Sequence, residues 1–326
     1  MSLAINVTTS SGIVLAADSR QSYRNLKGMA RIGSDNALKL FQLNKRIGCA
    51  VTGIAFLAEE EALRNISSFI AEFRRTRKQE IERMNVKEIA DEIKEFFDNK
   101  YNWRDSLEKA KESVRRDIES RGFELVGDFE EQNGIFRFRV REKDEQEKQG
   151  AVGVDKIAIL VAGFNHDGTH EAYGVNIPGE VELRRNSKEK GKEYGAFWIG
   201  QTDVTSRIIL GWDSRMFNLP FIQEGTQKFG EEETRKQLGG LEYQINWGTM
   251  TLQDAVDFAT LAIQTTEAIQ RFSDGIQMNP GDIPGVGGVV DVAVITQDKG
   301  FIWIKKKNLS VERKEVDLDT FPKLQD

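Results

Sequence analysis

Ser2 is a hydroxyl at the head of one short stretch, SLAINVTTSSGIVLAADSR at positions 2–20, and its type and position raise the question of nucleophilic chemistry. Residues 3–9 and 13–18 are apolar and β-branched, and Ser10-Ser11-Gly12 between them is turn chemistry. The stretch therefore predicts a hairpin. Antiparallel pairing around Gly12 brings Ser2, which begins one strand, and Asp18, which ends the next, to one sheet edge. A serine hydroxyl is a poor nucleophile near neutral pH and needs a base to act. Lys39 stands in ALKLFQL (37–43), which alternates as a half-buried strand does, and Gly53 closes the strand-like RIGCAVTG (46–53). Taken alone, Asp18 and Lys39 also read as an ordinary ion pair at a sheet end, and Gly53 as a strand terminator.

Other chemistries are poorly supplied. The only histidines, His166 and His170, flank the turn signal Asp167-Gly168 and read as solvated hairpin residues. With a single cysteine, Cys49, the usual zinc ligands are nearly absent and no intramolecular disulfide can form. A Ser-His-Asp hydrolase is disfavoured, because no Gly-x-Ser-x-Gly elbow exists. The Gly-rich GVGG (285–288) precedes a strand and does not link a strand to a helix, so it is a weak phosphate loop. The net charge of −6 and pI of about 5.4 argue against a nucleic-acid binder. No apolar run reaches membrane-spanning length, and the start lacks the pattern of a secretory signal, so the expected location is the cytoplasm.

The elements that must position these residues follow from periodicity. Apolar residues at helical spacing (Ile66, Phe69, Ile70, Phe73) predict a helix over about 55–78, and Ile89, Ile93, Phe96 and Phe97 begin a second that runs to about Arg121. The polar run 142–149 predicts an exposed loop or helix end. Strands are expected at 156–164, 171–176, 180–184 and 195–199, and a helix from Gln201 to about Trp212. The stretch 213–248 carries no clear pattern. TLQDAVDFATLAIQTTEAIQRF (251–272) predicts a helix capped by Thr251, with Leu252, Val256, Ala259 and Ile263 on one face. A closing hairpin is expected from 289–296 and 300–306. Strand runs separated by helix pairs suit two packed sheets with helices outside, an α+β architecture, and too few βα alternations occur for a doubly wound sheet. No linker demands a second domain.

GIVLAADSR followed by KLFQLNKRIGCAVTG resembles the start of proteasome β-type subunits and their bacterial relatives, through Gly12, Asp18, Arg20, Lys39 and Gly53. IGQTD (199–203) resembles that family's strand-to-helix turn, TLQDAVDFATLAI its penultimate helix, and GGVVDVAVITQDKGFIWI (287–304) its closing hairpin. The resemblance touches about half the chain. Residues 79–155 and 213–248 lack a counterpart and read as insertions in a single domain spanning 1–326. The resemblance implies the four-layer αββα sandwich of N-terminal nucleophile hydrolases. In that family the first residue of the mature chain, ten before the turn glycine, is the nucleophile, and Ser2 holds that register to Gly12. Thr8 and Thr9 do not.

The resemblance implies that removal of Met1 frees the α-amine of Ser2, whose pKa of about 8 lets it act as the base for its own hydroxyl. Lys39 would lower the pKa of both groups, Asp18 would hold Lys39, and the Gly53 N–H would face the oxyanion while its missing side chain admits substrate. Arg20 would be a charge partner in this cluster. The family's Ser-Gly-Gly loop has Val286 in place of its serine here, its upstream aspartate is matched by Asp282 or Asp274, and the serine near IGQ is missing. The implied activity is cleavage of peptide or amide bonds without metal or cofactor, by a chain that self-associates into a ring or spiral. A catalytically inactive scaffold subunit and a non-proteolytic amidohydrolase on the same fold are the alternatives.

Overall fold

The structure, a computed structural model, describes residues 2–308 except positions 26, 28, 60, 61, 142–146, 277, 278, 281 and 282. The chain opens with the expected hairpin, β1 (Leu3–Thr9) and β2 (Gly12–Ala17), paired from Ala4↔Ala17 to Thr9↔Gly12. A short hairpin, β3 (Gln21–Arg24) and β4 (Ala30–Ser34), precedes β5 (Leu40–Gln42) and β6 (Ile47–Gly53). Another, β7 (Phe56–Glu59) and β8 (Ala62–Asn65), occupies the region where a helix was expected from residue 55. The helix α1 (Ile66–Thr76) starts only where the Asn65 side chain accepts the Ser67 N–H at 3.0 Å and caps it. After α2 (Lys78–Ile81) come α3 (Val86–Lys100) and α4 (Trp103–Ser120). The expected single run to Arg121 is broken at Tyr101–Asn102, where Asn102 caps the second helix.

Next come β9 (Glu124–Gln132), β10 (Ile135–Arg141) and β11 (Lys148–Gly153), a separate three-stranded sheet against α4. Phe129 meets Phe136 and Phe138 edge-on in this unit, at 4.9 and 6.0 Å. The strands β12 (Ile157–Phe164), β13 (His170–Ile177), β14 (Val181–Asn186) and β15 (Gly195–Gly200) fall where expected. They are followed by α5 (Asp203–Leu210), α6 (Pro220–Phe229), α7 (Glu231–Leu238) and α8 (Leu252–Phe272). Thr251 caps α8 as expected, in a capping box with Asp254. The two-residue strands β16 (Gly275–Ile276) and β17 (Asn279–Pro280) lead to β18 (Asp291–Thr296) and β19 (Gly300–Lys305).

The protein is thus α+β, with several antiparallel sheets. Two of them have five strands, in the orders β15-β1-β2-β18-β19 and β14-β13-β12-β6-β5. Side chains of a strand alternate between faces, and both faces of these strands are covered. From β1 and β2, Ala4, Ile13, Leu15 and Ala17 join Leu40, Ala50, Leu160 and Ala162 of the other sheet in one apolar cluster. Their alternates Leu3, Ile5, Val7, Val14 and Ala16 pack with Ala255, Ala259 and Ile263 of α8. On the second sheet, Cys49, Val51, Ile159 and Val161 pack with Phe69 and Phe73 of α1 and Ile89, Ile93 and Phe97 of α3. This double coverage explains why β1 and β2 are buried along their whole length.

One histidine departs from its expected surroundings. His166 is exposed, but His170 is buried, its Nε2 is 2.7 Å from the Glu193 carbonyl, and its ring lies near Phe164 and Tyr194. The packing predicts that Leu15→Ala, inside the inter-sheet cluster, costs about 3 kcal/mol. Leu63→Ala, on a side chain 72% exposed, should cost less than about 0.5 kcal/mol. Urea unfolding of both variants measures the difference, and equal midpoints would contradict the layering.

Candidate active site

Asp18 organises the region. The hairpin register places it across from Leu3, and its N–H donates to the Leu3 carbonyl at 3.2 Å. The exchange is returned, because the Leu3 N–H donates to Asp18 Oδ1 at 3.0 Å. Lys39 Nζ donates to the same oxygen at 2.7 Å. The other oxygen, Oδ2, accepts the backbone N–H groups of Arg20 and Gly287, each at 3.1 Å. Asp18 has no exposure to water. Burying a carboxylate is costly unless it is paired and hydrogen-bonded, and these four donors meet that need.

Lys39 precedes β5 and is 5% exposed. Its ammonium also donates to the Arg20 carbonyl. Burial pushes its pKa below that of an ordinary lysine, against the opposing pull of Asp18. Ser2 is buried next to β1. Its carbonyl accepts the Gln201 N–H at 2.7 Å. Gly200 makes this approach possible: its φ is +96°, and a Cβ there would lie 2.1 Å from the Ser2 carbonyl oxygen.

Gly53 ends β6 opposite Ile157, with φ at +94°. A Cβ there would lie 1.9 Å from the Lys156 carbonyl oxygen. The adjoining chain therefore excludes any side chain at this position, while Gly53 itself is exposed and lines the cleft. Arg20 also departs from expectation. Its backbone joins the cluster through Asp18 and Lys39, but its side chain turns to Asp35, with Nε to Oδ1 at 2.7 Å and Nη2 to Oδ2 at 3.1 Å. The hydrogen bond to Asp35 raises the guanidinium pKa against the effect of burial. Of the two upstream aspartates, Asp282 lies outside the described residues and Asp274 is exposed beyond the end of α8.

Ser2, Lys39 and Gly53 line one narrow cleft of about 20 Å³, with Leu38, Val51, Ile54 and Ile66 as apolar walls and Gln21, Ser22, Thr52 and Asn65 as polar ones. Ser2, Thr52 and Gly53 also border a larger open groove of about 780 Å³, flanked by Tyr23, Phe56, Leu63, Asn176 and Gln201. Ser2 therefore stands where a narrow recess, with room for about one water molecule, meets a broad groove open enough for extended chain. The Cys49 thiol is no competitor as a nucleophile: it is fully buried, and burial pushes its pKa up to about 12. Among the described residues, no three of His, Cys, Asp and Glu are grouped to hold a metal, and no helix is long and apolar enough to cross a membrane.

Several participants escape sequence reasoning. The N–H groups of Gly285 and Val286 both donate to Gln270 Oε1, at 3.0 and 2.9 Å, and that of Gly287 goes to Asp18. These donors of the Gly-rich loop are therefore already used within the protein. A second buried pair, Lys307 and Asp291, lies behind Asp18, with Lys307 Nζ also 2.8 Å from Ser19 Oγ. IGQTD marked the turn that bears Gln201, but no spacing links Asp35, Gln270, Asp291 or Lys307 to the site, because they arrive through topology. The sequence matches no family model, and no curated protein is similar to it.

Two substitutions test this geometry. Lys39→Met leaves the Asp18 carboxylate buried without a cation, although three backbone donors remain, and should cost about 3 kcal/mol in urea unfolding. A loss below about 1 kcal/mol would mean that the backbone donors alone suffice. Gly200→Ala combines left-handed strain with collision against Ser2. Gly191→Ala, at φ +85° with open space around it, meets strain alone, about 1 kcal/mol. Thermal unfolding should rank Gly200→Ala as clearly the worse of the two.

Proposed function

We propose that this protein is an N-terminal nucleophile hydrolase of the proteasome-like class, cleaving peptide or other amide bonds through Ser2. One observation carries the reading. The N–H of the Ser2–Leu3 peptide bond and the Lys39 ammonium meet on one oxygen of the buried Asp18, and Ser2, Lys39 and Gly53 border one cleft. The finer architecture belongs to the same proposal. A cluster between the two sheets, flanked by one with α8 and one with α1 and α3, fits an αββα sandwich.

In this reading Met1 is removed and the α-amine of Ser2 becomes free. The amine takes the hydroxyl proton as Oγ attacks the substrate carbonyl carbon. The tetrahedral oxyanion is assigned to the Gly53 N–H. Collapse expels the amine product, which leaves with the proton, and an ester to Ser2 remains. Water then attacks that ester, the carboxylic acid departs, and the hydroxyl is restored. The buried positive charge of Lys39 favours the alkoxide that develops, and Asp18 holds Lys39 in place. The groove takes extended chain, with self-association and a cytoplasmic location as further parts of the proposal.

A scaffold subunit without activity is the second reading. It is favoured by Val286, fully buried in the apolar cluster where the resembled family carries a serine. Intact mass spectrometry with a β-lactone separates the two. The hydrolase should appear without Met1 and gain one inhibitor mass on Ser2. Ser2→Ala should take no label, stay folded and lose amide hydrolysis by about 10³-fold or more. Unchanged turnover in that variant would sink the assignment, and an unlabelled parent would favour the scaffold.

A further inference from the structure

Gln270 lies in the last turn of α8, and its amide joins two segments that both reach the Ser2 cluster. Oε1 accepts two backbone N–H groups, from Gly285 and Val286. That double acceptance fixes which end of the amide is oxygen, since an NH₂ group cannot accept. Nε2 therefore faces Gln201 and donates to its Oε1 at 2.8 Å. The Gln201 amide is oriented in turn, with its oxygen toward α8.

Each segment continues directly to the cluster. The next N–H of the loop, that of Gly287, donates to Asp18 Oδ2. The Gly287 carbonyl accepts the Ser19 N–H at 2.9 Å, so the loop is bonded on both sides of Asp18's own chain segment. The backbone N–H of Gln201 donates to the Ser2 carbonyl, and Gln201 borders the open groove beside Ser2. One side chain thus ties the donor on Asp18 to the donor on Ser2. The places where the chain departs from the resembled family, Val286 and the IGQ turn, are the two that Gln270 bridges.

We propose that Gln270 is a positioning residue that sets Ser2 and Asp18 relative to each other for the reaction. The inference rests on the hydrolase reading of Ser2. Without this amide, the Gly285 and Val286 N–H groups lose their acceptor, the loop that supplies the Gly287 donor shifts, and Gln201 Oε1 loses the donor from α8. Misplacement by about 1 Å at a reacting centre costs about 10²-fold in rate.

The test uses full-length protein lacking Met1, acylated by a β-lactone over a range of concentrations and followed by intact mass. Saturation kinetics separate inhibitor binding from the first-order acylation step. Gln270→Met keeps the length and removes the amide. Gln270→Glu keeps an acceptor for the two loop N–H groups and, when ionised, cannot donate to Gln201. The Met variant should acylate about 10²-fold more slowly in the first-order step, with binding changed less than about threefold. The Glu variant should recover part of that loss. A purely structural role would lower the thermal midpoint and leave the acylation step of the folded fraction unchanged, and that result overturns the proposal. Hydrogen exchange over 199–203 and 285–288 reads the clamp independently of activity: faster exchange in the Met variant supports it, and unchanged exchange removes its basis. A parent that is never acylated at Ser2, with the clamp intact by exchange, brings down the hydrolase reading and the positioning role that rests on it.

Discussion

A buried carboxylate must be satisfied completely, and the saturation of Asp18 dictates how the rest of this site is built. Its four donors come from β1, from the turn after β2, from the residue preceding β5 and from the loop before β18. These segments meet at Asp18. A single unpaired charge in such a place costs several kcal/mol, so the four contacts support one another. The position of Lys39 follows from this, because its ammonium has Asp18 on one side and the Arg20 carbonyl on another.

Close backbone approach is the second constraint, and it is separate from the charges. At Gly53 and Gly200 a positive φ coincides with a carbonyl oxygen about where a Cβ would be. Gly53 lets the residues before β12 reach β6, and Gly200 lets β15 and the turn after it close on Ser2. Gly287 does the same for a side chain, since the Arg20 guanidinium carbon lies 2.6 Å from the position of a Cβ. The glycines around this cleft make room for the protein's own chain, and the cleft is bounded by what they admit.

This distinction explains what could be read from the residues and what could not. The hairpin at 3–17, the strands at 47–53 and 157–164, and the capped helix at 252–272 were legible because hydrophobic period and local capping agree there. The hairpins at 21–34 and 56–65 were missed because their strands are only four or five residues long and carry few buried side chains. The apolar period at Ile66 was real, but the Asn65 cap, a local hydrogen bond, decides where the helix starts. At the site, Asp18 and Lys39 were found together because both lie at strand ends of recognisable pattern. Asp35 and Gln270 were not, because the segments that hold them meet only through the packed sheets. At Gly53 the sequence shows a glycine but not which neighbour needs the space, here the Lys156 carbonyl.

Three ion pairs hold the charges in and near the narrow cleft. Lys39 faces Asp18, Arg20 faces Asp35, and Lys307 faces Asp291. Three cations gathered this closely repel one another, and the effect falls on the most buried. Both Lys307 and Arg20 add to the burial that lowers the Lys39 pKa, while Asp18 alone opposes them. Arg20, bound in bidentate fashion at the rim, holds its proton more firmly than an ordinary arginine. The proton is thus held more firmly than usual at Arg20 and less firmly than usual at Lys39, which lines the cleft with Ser2. Among the polar walls of the cleft, Asn65 Nδ2 donates to Gln21 Oε1 at 3.1 Å, so these amides too are held by the protein itself.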